Sequence, residues 1–325
     1  MKAINSKKTF CPDLWDGVTI IKTGDVYSCC LTKPQKLGNI YKSHLKDIIN
    51  NRIIKSYRVK SLKGNLECYE KCNFVRKNII NVKIPDNIEI NYRDLKRLHI
   101  SFSEKCNIQC IMCHHPINHK RYKITIDHSI LIKNIDISPF ENILIQGGEP
   151  LCIDNCLYYL DYLATMGKKY LLLTNGTLID KEMARRLAKE AKGVVISINA
   201  ATKKTHETIN KGSKFEEVLK GINYIREFRE KMGTNVLIFG RMTLTIENLK
   251  EIPLFIKKYE NLGFDLINFG YNRKTVPNFL GSNPEFKNSL RTIITKQLNQ
   301  SNLNNIDLQR IYQLKLVGKN LNYQK

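Results

Sequence analysis

Two patterns of apolar and polar positions divide the chain near residue 85. Before it, residues 18–23 are β-rich, Gly24-Asp25 is a turn signal and residues 26–30 resume an extended run, which predicts a hairpin. Leu45, Ile48, Ile49, Ile53 and Ile54 then recur at helical spacing and predict a helix over 43–57. After Pro85, short apolar runs at 98–102, 142–146, 170–174, 194–199, 236–243 and 265–270 predict strands. Amphipathic stretches at 156–165, 181–191, 215–229 and 249–262 lie between them and predict helices.

Strand and helix repeating in this order imply parallel strands joined by right-handed crossovers. The six strand units favour a partial (β/α)6 TIM-like barrel over an open doubly wound sheet, so the fold class is read as α/β with a small N-terminal domain. The boundaries follow from the pattern: 1–85 for that domain, 91–275 for the barrel and 276–325 for a polar, Asn-rich tail. The tail has helical spacing at 286–298, and no chemistry is assigned to it. In parallel α/β folds chemistry gathers where strands end. Those positions carry residues 103–113, Gly147-Gly148-Glu149-Pro150, Asn175-Gly176, Ser197, Asn199 and Arg241.

Composition narrows the function. With 325 residues, 42% hydrophobic and 26% charged, the chain buries a sizeable core and is neither disordered nor collagen-like. No apolar run approaches the roughly 20 residues of a membrane span, and no apolar segment follows the N-terminal lysines, so a cytoplasmic protein is expected. The formal net charge of +23 points toward an anionic partner, yet the Lys, Asn and Ile that produce it crowd the whole chain and form no single basic block. Composition bias accounts for the charge, and nucleic acid is not the expected partner.

The ten cysteines change the picture most, because reduced thiols in clusters point to metal or redox chemistry. Cys106-x3-Cys110-x2-Cys113 places three thiolates on one loop directly after a strand. Three corners of a 4Fe-4S cluster fit that spacing and leave one iron open. A zinc site completed by His114 or His115 is the alternative, although both histidines crowd the last cysteine. Upstream, Cys11, Cys29, Cys68 and Cys72 supply four thiolates, enough to complete a second cluster or a tetrahedral zinc, with Cys30 to spare. Cys152 and Cys156 are four apart and are read as core residues on one helix face. The two glycines at 147 and 148 let the backbone approach a ligand closely, and Pro150 fixes the turn.

The cysteine triplet after the first strand, with Gly147-Gly148-Glu149-Pro150 after the second, resembles the radical S-adenosylmethionine (SAM) superfamily over residues 95–270. The resemblance implies that Cys106, Cys110 and Cys113 ligate a 4Fe-4S cluster whose open iron is chelated by SAM. It further implies that Gly147, Gly148, Glu149 and Pro150 hold the methionine amino group, and that Ser197, Asn199 and Arg241 take cofactor contacts. Met112 stands where the family commonly has an aromatic residue near the adenine; its thioether can pack on a ring. Residues 11–41, with Trp15, Gly24, Cys29, Cys30 and 37–40, resemble the SPASM or twitch auxiliary-cluster domain, which in the best-known relatives follows the barrel. Its implied second 4Fe-4S cluster falls to Cys11, Cys29, Cys68 and Cys72. The implied function is reductive cleavage of SAM to a 5′-deoxyadenosyl radical that abstracts hydrogen from a peptide or a small polar, sugar-like substrate. A low-potential donor such as flavodoxin or ferredoxin would supply the electron. The alternatives are a zinc-stabilised basic nucleic-acid-binding protein and a radical SAM enzyme acting on RNA.

Overall fold

The computed structural model describes residues 10–29, 35–66, 68, 87–113 and 124–317. Its first elements are α1 (Asp13–Asp16), β1 (Gly17–Ile20), β2 (Asp25–Tyr27), β3 (Gly38–Asn39), α2 (Leu45–Ile48), α3 (Arg52–Leu62), β4 (Arg97–Ser101), β5 (Gln109–Cys110), α4 (His128–Asn134), β6 (Asn142–Gln146) and α5 (Asp154–Thr165). There follow β7 (Tyr170–Thr174), α6 (Lys181–Glu190), β8 (Ala191–Ser197), α7 (Lys203–Ile209), β9 (Asn210–Lys211), α8 (Phe215–Met232), β10 (Leu237–Leu244), α9 (Ile252–Lys258), β11 (Leu266–Tyr271), α10 (Thr275–Ser282), α11 (Pro284–Leu298), β12 (Ile306–Asp307) and α12 (Gln309–Gln313). The fold class is α/β of the partial (β/α)6 TIM-like type, its six strand–helix repeats opening on β4, β6, β7, β8, β10 and β11. No helix among the described residues is long and apolar enough to cross a membrane. The chain divides into two compact units.

The first unit holds residues 1–105 and 120–170. The expected hairpin is present as β1 and β2, antiparallel, with β3 extending it. Gly24 turns between them at φ +77°, a left-handed value that glycine adopts without cost. The other side of β1 pairs in parallel with β4, and β4 with β6, so the N-terminal segment and the first repeat strands share one sheet. Register aligns two apolar rows, Val18–Leu98–Ile143 and Ile20–Ile100–Ile145, all at most 5% exposed. Full burial of each such side chain contributes roughly 1.5–3 kcal/mol. A one-residue slip would turn these rows over and bring the opposite face, with His99 and Leu144, into their place.

Around this sheet the sequence-based boundaries shift for local reasons. The helix expected over 43–57 is two helices, because Asn51 caps a new one: its side-chain oxygen accepts from the Ile53 and Ile54 N–H groups. From α3, Arg58 reaches inward and is 1% exposed. Its guanidinium donates to the Leu14 and Ile88 carbonyls at 2.7 and 2.9 Å and to Asn50 Oδ1 at 2.9 Å. One buried cation thus closes three backbone segments, and burial lowers its pKa to about 10. On β4, Arg97 pairs with both Asp13 and Asp16 of α1.

The second unit holds residues 106–119 and 171–325. There β7 lies beside β8, and β8, β10, β11 and β12 pair in parallel in that order. Val194, Ile196, Ile238, Met242 and Ile267 alternate inward with at most 1% exposure, the period of strands that pack on one face. The helix expected over 249–262 begins at Ile252, behind a 3₁₀ turn at Leu249–Glu251, because Pro253 fits only the first turn of a helix. Beyond residue 276 the chain is more than helical. After α11, whose Leu290, Ile294 and Leu298 are buried, β12 adds to β11 in parallel with Ile306 opposite Ile267.

One residue of the first sheet makes stability pH-dependent. His99 is held down at about 4 by burial, against a hydrogen bond to the Gln146 side chain that favours the proton. The unfolded chain, titrating near ~6.5, therefore binds more protons than the native one between those values. Stability is full above pH 6.5 and falls as pH drops toward 4, by up to about 3 kcal/mol. Urea midpoints measured from pH 7 to 4 should show this loss, and His99→Gln should flatten that part of the profile.

Candidate metal and cofactor site

The stretch leaving β4 is fixed by the turn that leaves β6. Gly148 N–H donates to the Ser103 carbonyl at 2.8 Å and Glu149 N–H to the Lys105 carbonyl at 2.7 Å. A Cβ on Gly148 would stand 2.1 Å from the Lys105 oxygen and 2.4 Å from that of Glu104, so only glycine fits. The close approach foreseen toward a ligand is thus made to the chain's own backbone at the root of the cysteine loop. Glu149 is fully buried and its Oε1 accepts from Leu151 N–H at 3.1 Å. Pro150 opens the 3₁₀ turn Pro150–Cys152. Glu104 pairs with Lys22 at 2.6 Å, so β1's flank grips the same root.

The cysteine loop itself belongs to the second unit. Gln109 and Cys110 form β5, antiparallel to β9, with Cys110 opposite Asn210. The Ile111 N–H donates to the Ile209 carbonyl at 2.9 Å, and Cys113 N–H returns to the Cys110 carbonyl at 3.1 Å. Ile108, just before these anchors, is buried at 5% exposure. Cys106, Cys110 and Met112 are half-buried and Cys113 is exposed. Burial, and then the charges of Cys106 and Cys113, push the Cys110 thiol up to about 12. Three thiols on one short loop are the donor set that a cationic iron centre deprotonates and neutralises, so the residues present fit a cluster. Among the described residues no three His, Cys, Asp or Glu side chains are gathered tightly enough to hold a single metal ion.

Around the loop, the strand ends of this unit carry two groups of hydrogen-bonded polar side chains. Asn175, after β7, donates through Nδ2 to Asn107 Oδ1 at 2.9 Å and to Cys106 Sγ at 3.7 Å. Asn199, after β8, takes a left-handed φ of 52° and is 2% exposed. Its amide is engaged on both sides: Oδ1 accepts from Thr243 N–H at 2.7 Å and Nδ2 donates to Asn210 Oδ1 at 2.9 Å. Asn210, fully buried, donates in turn to the Ser197 carbonyl at 3.2 Å. One asparagine therefore ties the backbone register of Cys110 to Ser197 and Asn199. Glu251 caps the segment beyond, accepting from the Ala201 and Thr202 N–H groups at 2.7 and 3.2 Å.

Arg241 lies on β10 in register between Ser197 of β8 and Asn268 of β11. Its guanidinium reaches beside Gly270, and burial first, then Arg310, lower its pKa. Sequence reasoning named Ser197, Asn199 and Arg241 but missed Asn107, Thr177 and Asn210. Those three reveal themselves only through tertiary hydrogen bonds, although Asn175-Gly176 had been marked as a strand end.

Of the upstream cysteines, Cys11 is buried, Cys29 and Cys68 are half-buried, and Cys72 and the spare Cys30 lie outside the described residues, as do His114 and His115. The Cys11 N–H donates to Ser61 Oγ at 2.9 Å, which joins the first cysteine to the helix that leads toward Cys68. Cys156 is fully buried in α5, as a core residue should be. Cys152 sits in the 3₁₀ turn rather than on that helix, its Sγ donating to the Glu149 carbonyl at 3.2 Å.

With this geometry in view, comparison with known families decides the class. The model of the radical SAM superfamily matches residues 100–270, more than half of the chain. The chain belongs to the radical SAM superfamily. An iron–sulfur cluster-binding domain, SPASM, matches residues 11–73, at the N-terminal side of the barrel. The protein is thus an iron–sulfur enzyme whose cofactors are a 4Fe-4S cluster with SAM and an auxiliary iron–sulfur cluster. The zinc-stabilised nucleic-acid-binding alternative loses its ground, since both matched domains are iron–sulfur domains.

A probable GTP 3′,8-cyclase of Methanocaldococcus jannaschii is 25% identical over 64% of this chain and 72% of its own length. The Fe-coproporphyrin III synthase of Methanosarcina barkeri is 25% identical over 53% of this chain and 43% of its own. The chain therefore spans less than half of that second relative. Among solved structures, Streptococcus suis SuiB bound to precursor peptide SuiA aligns with 89% of this chain and 70% of its own, at 16% identity and a TM-score of 0.48. At that score the likeness bears on neither fold nor substrate.

The glycine clasp yields a prediction. Gly148→Ala forces the Lys105 and Glu104 carbonyls to move and should destabilise the protein by about 2–3 kcal/mol. Gly147→Ala, whose nearest atom would be the Ser103 oxygen at 3.0 Å, should cost less. Urea unfolding of both variants, with iron content after anaerobic reconstitution, checks the order.

Proposed function

We propose that the protein cleaves SAM reductively and uses the resulting radical on a peptide or a small polar, sugar-like substrate. The observation that carries this reading is the loop bearing Cys106, Cys110 and Cys113, anchored to β9 and to Asn175. When bound, the reduced cluster would pass one electron to the SAM sulfonium, whose S–C5′ bond would break to release methionine and a 5′-deoxyadenosyl radical able to take a hydrogen atom from the substrate.

The chain's own residues supply position and polarity. Cys106, Cys110 and Cys113 hold the site cluster, the Cys110 backbone being fixed by its pairing with Asn210. Gly147, Gly148, Glu149 and Pro150 serve the methionine amino group, Met112 the adenine, and Ser197 and Arg241 further polar contacts, with a guanidinium suited to a carboxylate. Asn199 keeps strand ends in place, since its amide is already bonded to Thr243 and Asn210. Cys11, Cys29, Cys68 and Cys72 hold the auxiliary cluster within a domain spanning 1–85. The barrel spans 91–275 and a C-terminal tail 276–325. A low-potential flavodoxin or ferredoxin is the proposed electron donor.

Anaerobically reconstituted protein should then hold about eight irons and eight sulfides per chain, since two 4Fe-4S clusters contribute four each. The variant with Cys106, Cys110 and Cys113 all changed to Ala should retain about half. Stoichiometric zinc in place of iron would sink the reading.

Dithionite-reduced protein given SAM should form 5′-deoxyadenosine, measured by chromatography. Cys110→Ala should abolish it, whereas Cys29→Ala or Cys72→Ala should lose the auxiliary cluster and retain cleavage. If wild-type protein with an intact reduced cluster forms none, the proposed reaction is wrong.

A further inference from the structure

Asn175, at the end of β7, reaches the cysteine loop from outside it. Its orientation is determined by its partners. The Oδ1 accepts from two donors of one residue, Thr177 N–H at 2.9 Å and Thr177 Oγ1–H at 2.7 Å, which only an oxygen can do. The Thr177 hydroxyl meanwhile accepts from Asn107 Nδ2 at 2.8 Å. The NH2 group of Asn175 is therefore turned the other way, with its two hydrogens directed at Asn107 Oδ1, 2.9 Å, and Cys106 Sγ, 3.7 Å. Asn107, Thr177 and Asn175 close a ring of hydrogen bonds from which one Asn175 N–H is aimed outward at a sulfur. Asn175 is 7% exposed, so water competes little for that bond.

From this we infer that Asn175 is a positioning residue whose amide N–H, held by Thr177, sets the reduction potential of the site cluster through the Cys106 sulfur. The inference rests on the proposal that Cys106 is a ligand of that cluster. Hydrogen bonds to ligating sulfurs set the potentials of iron–sulfur clusters, because the reduced cluster carries one more negative charge and gains more from a donor. Loss of the donor makes the cluster harder to reduce. A purely structural Asn175 would use its Oδ1 toward Thr177 and one N–H toward Asn107, and would leave the potential of the cluster unmoved when it is replaced.

Two variants separate these roles. Asn175→Asp keeps the acceptor for both Thr177 bonds and removes the N–H donor. Asn175→Ser keeps a turn-forming oxygen, has no donor that reaches Cys106, and adds no charge. In the full-length, anaerobically reconstituted protein, the midpoint of the cluster whose EPR signal changes on adding SAM is measured by redox titration, alongside iron content and circular dichroism. Both variants should shift that midpoint to more negative values, Asp further than Ser, with iron content unchanged. An unshifted midpoint in Asn175→Ser with full iron content overturns the inference. Should Asn175→Ser fail to assemble its cluster, Thr177→Val carries the test. It releases one of the two bonds that orient the amide and should give a smaller shift in the same direction; no shift overturns the inference. If the wild-type protein shows no SAM-responsive signal at all, the ligand assignment fails instead, an outcome distinct from an unmoved potential.

Discussion

Three thiol side chains fall within the eight residues 106–113, with Cys110 pushed up by burial and then by the charges of the other two, and a single backbone bond inside so short a loop, Cys113 N–H to the Cys110 carbonyl, does little to hold them. The protein holds the loop from outside. Its root, Ser103 to Lys105, is bonded to the turn after β6, and its centre is stitched to β9 by backbone pairing. Backbone bonds suit this task because they fix position without adding charge near the sulfurs. The cost falls on the partner segments, which must supply glycine at 148 and buried asparagines at 199 and 210.

The strands were legible in the sequence wherever an apolar run was short and bounded by turn residues. The runs at 142–146 and 170–174 have the bounds of β6 and β7, and the others differ by at most a few residues at an end. Helices were legible when long. The shorter α4 and α7 carry too few turns for a periodic signal, and each is recognised only by what it packs against. The split of the 43–57 helix and the late start of α9 come from single residues, Asn51 and Pro253, whose capping and first-turn preferences override the surrounding apolar spacing.

The candidate site was legible to the extent that its chemistry is local. Cysteines at 106, 110 and 113 announce themselves by spacing alone. The Asn175 bond to Cys106 joins residues 69 positions apart, and the Asn199 bond to Thr243 joins residues 44 apart. Such pairs depend on which strands become neighbours, which spacing along the chain does not encode. The glycine turn lies between these cases. Its need for close approach was readable, whereas the identity of what approaches, the chain's own carbonyls, required the fold.

The parallel pairing of β1 with β4 has a bearing on solubility. A first strand of a repeat that stood at the margin of its sheet would present a row of backbone N–H and C=O groups to any passing extended chain. Here β1 covers that row, β2 covers β1, and the sheet tapers to β3, which is two residues long and offers almost nothing to copy. The N-terminal segment thus acts as a shield against intermolecular strand addition, whatever else its cysteines do. A polypeptide trimmed to the barrel repeats alone would lose that cover and tend to self-associate along β4.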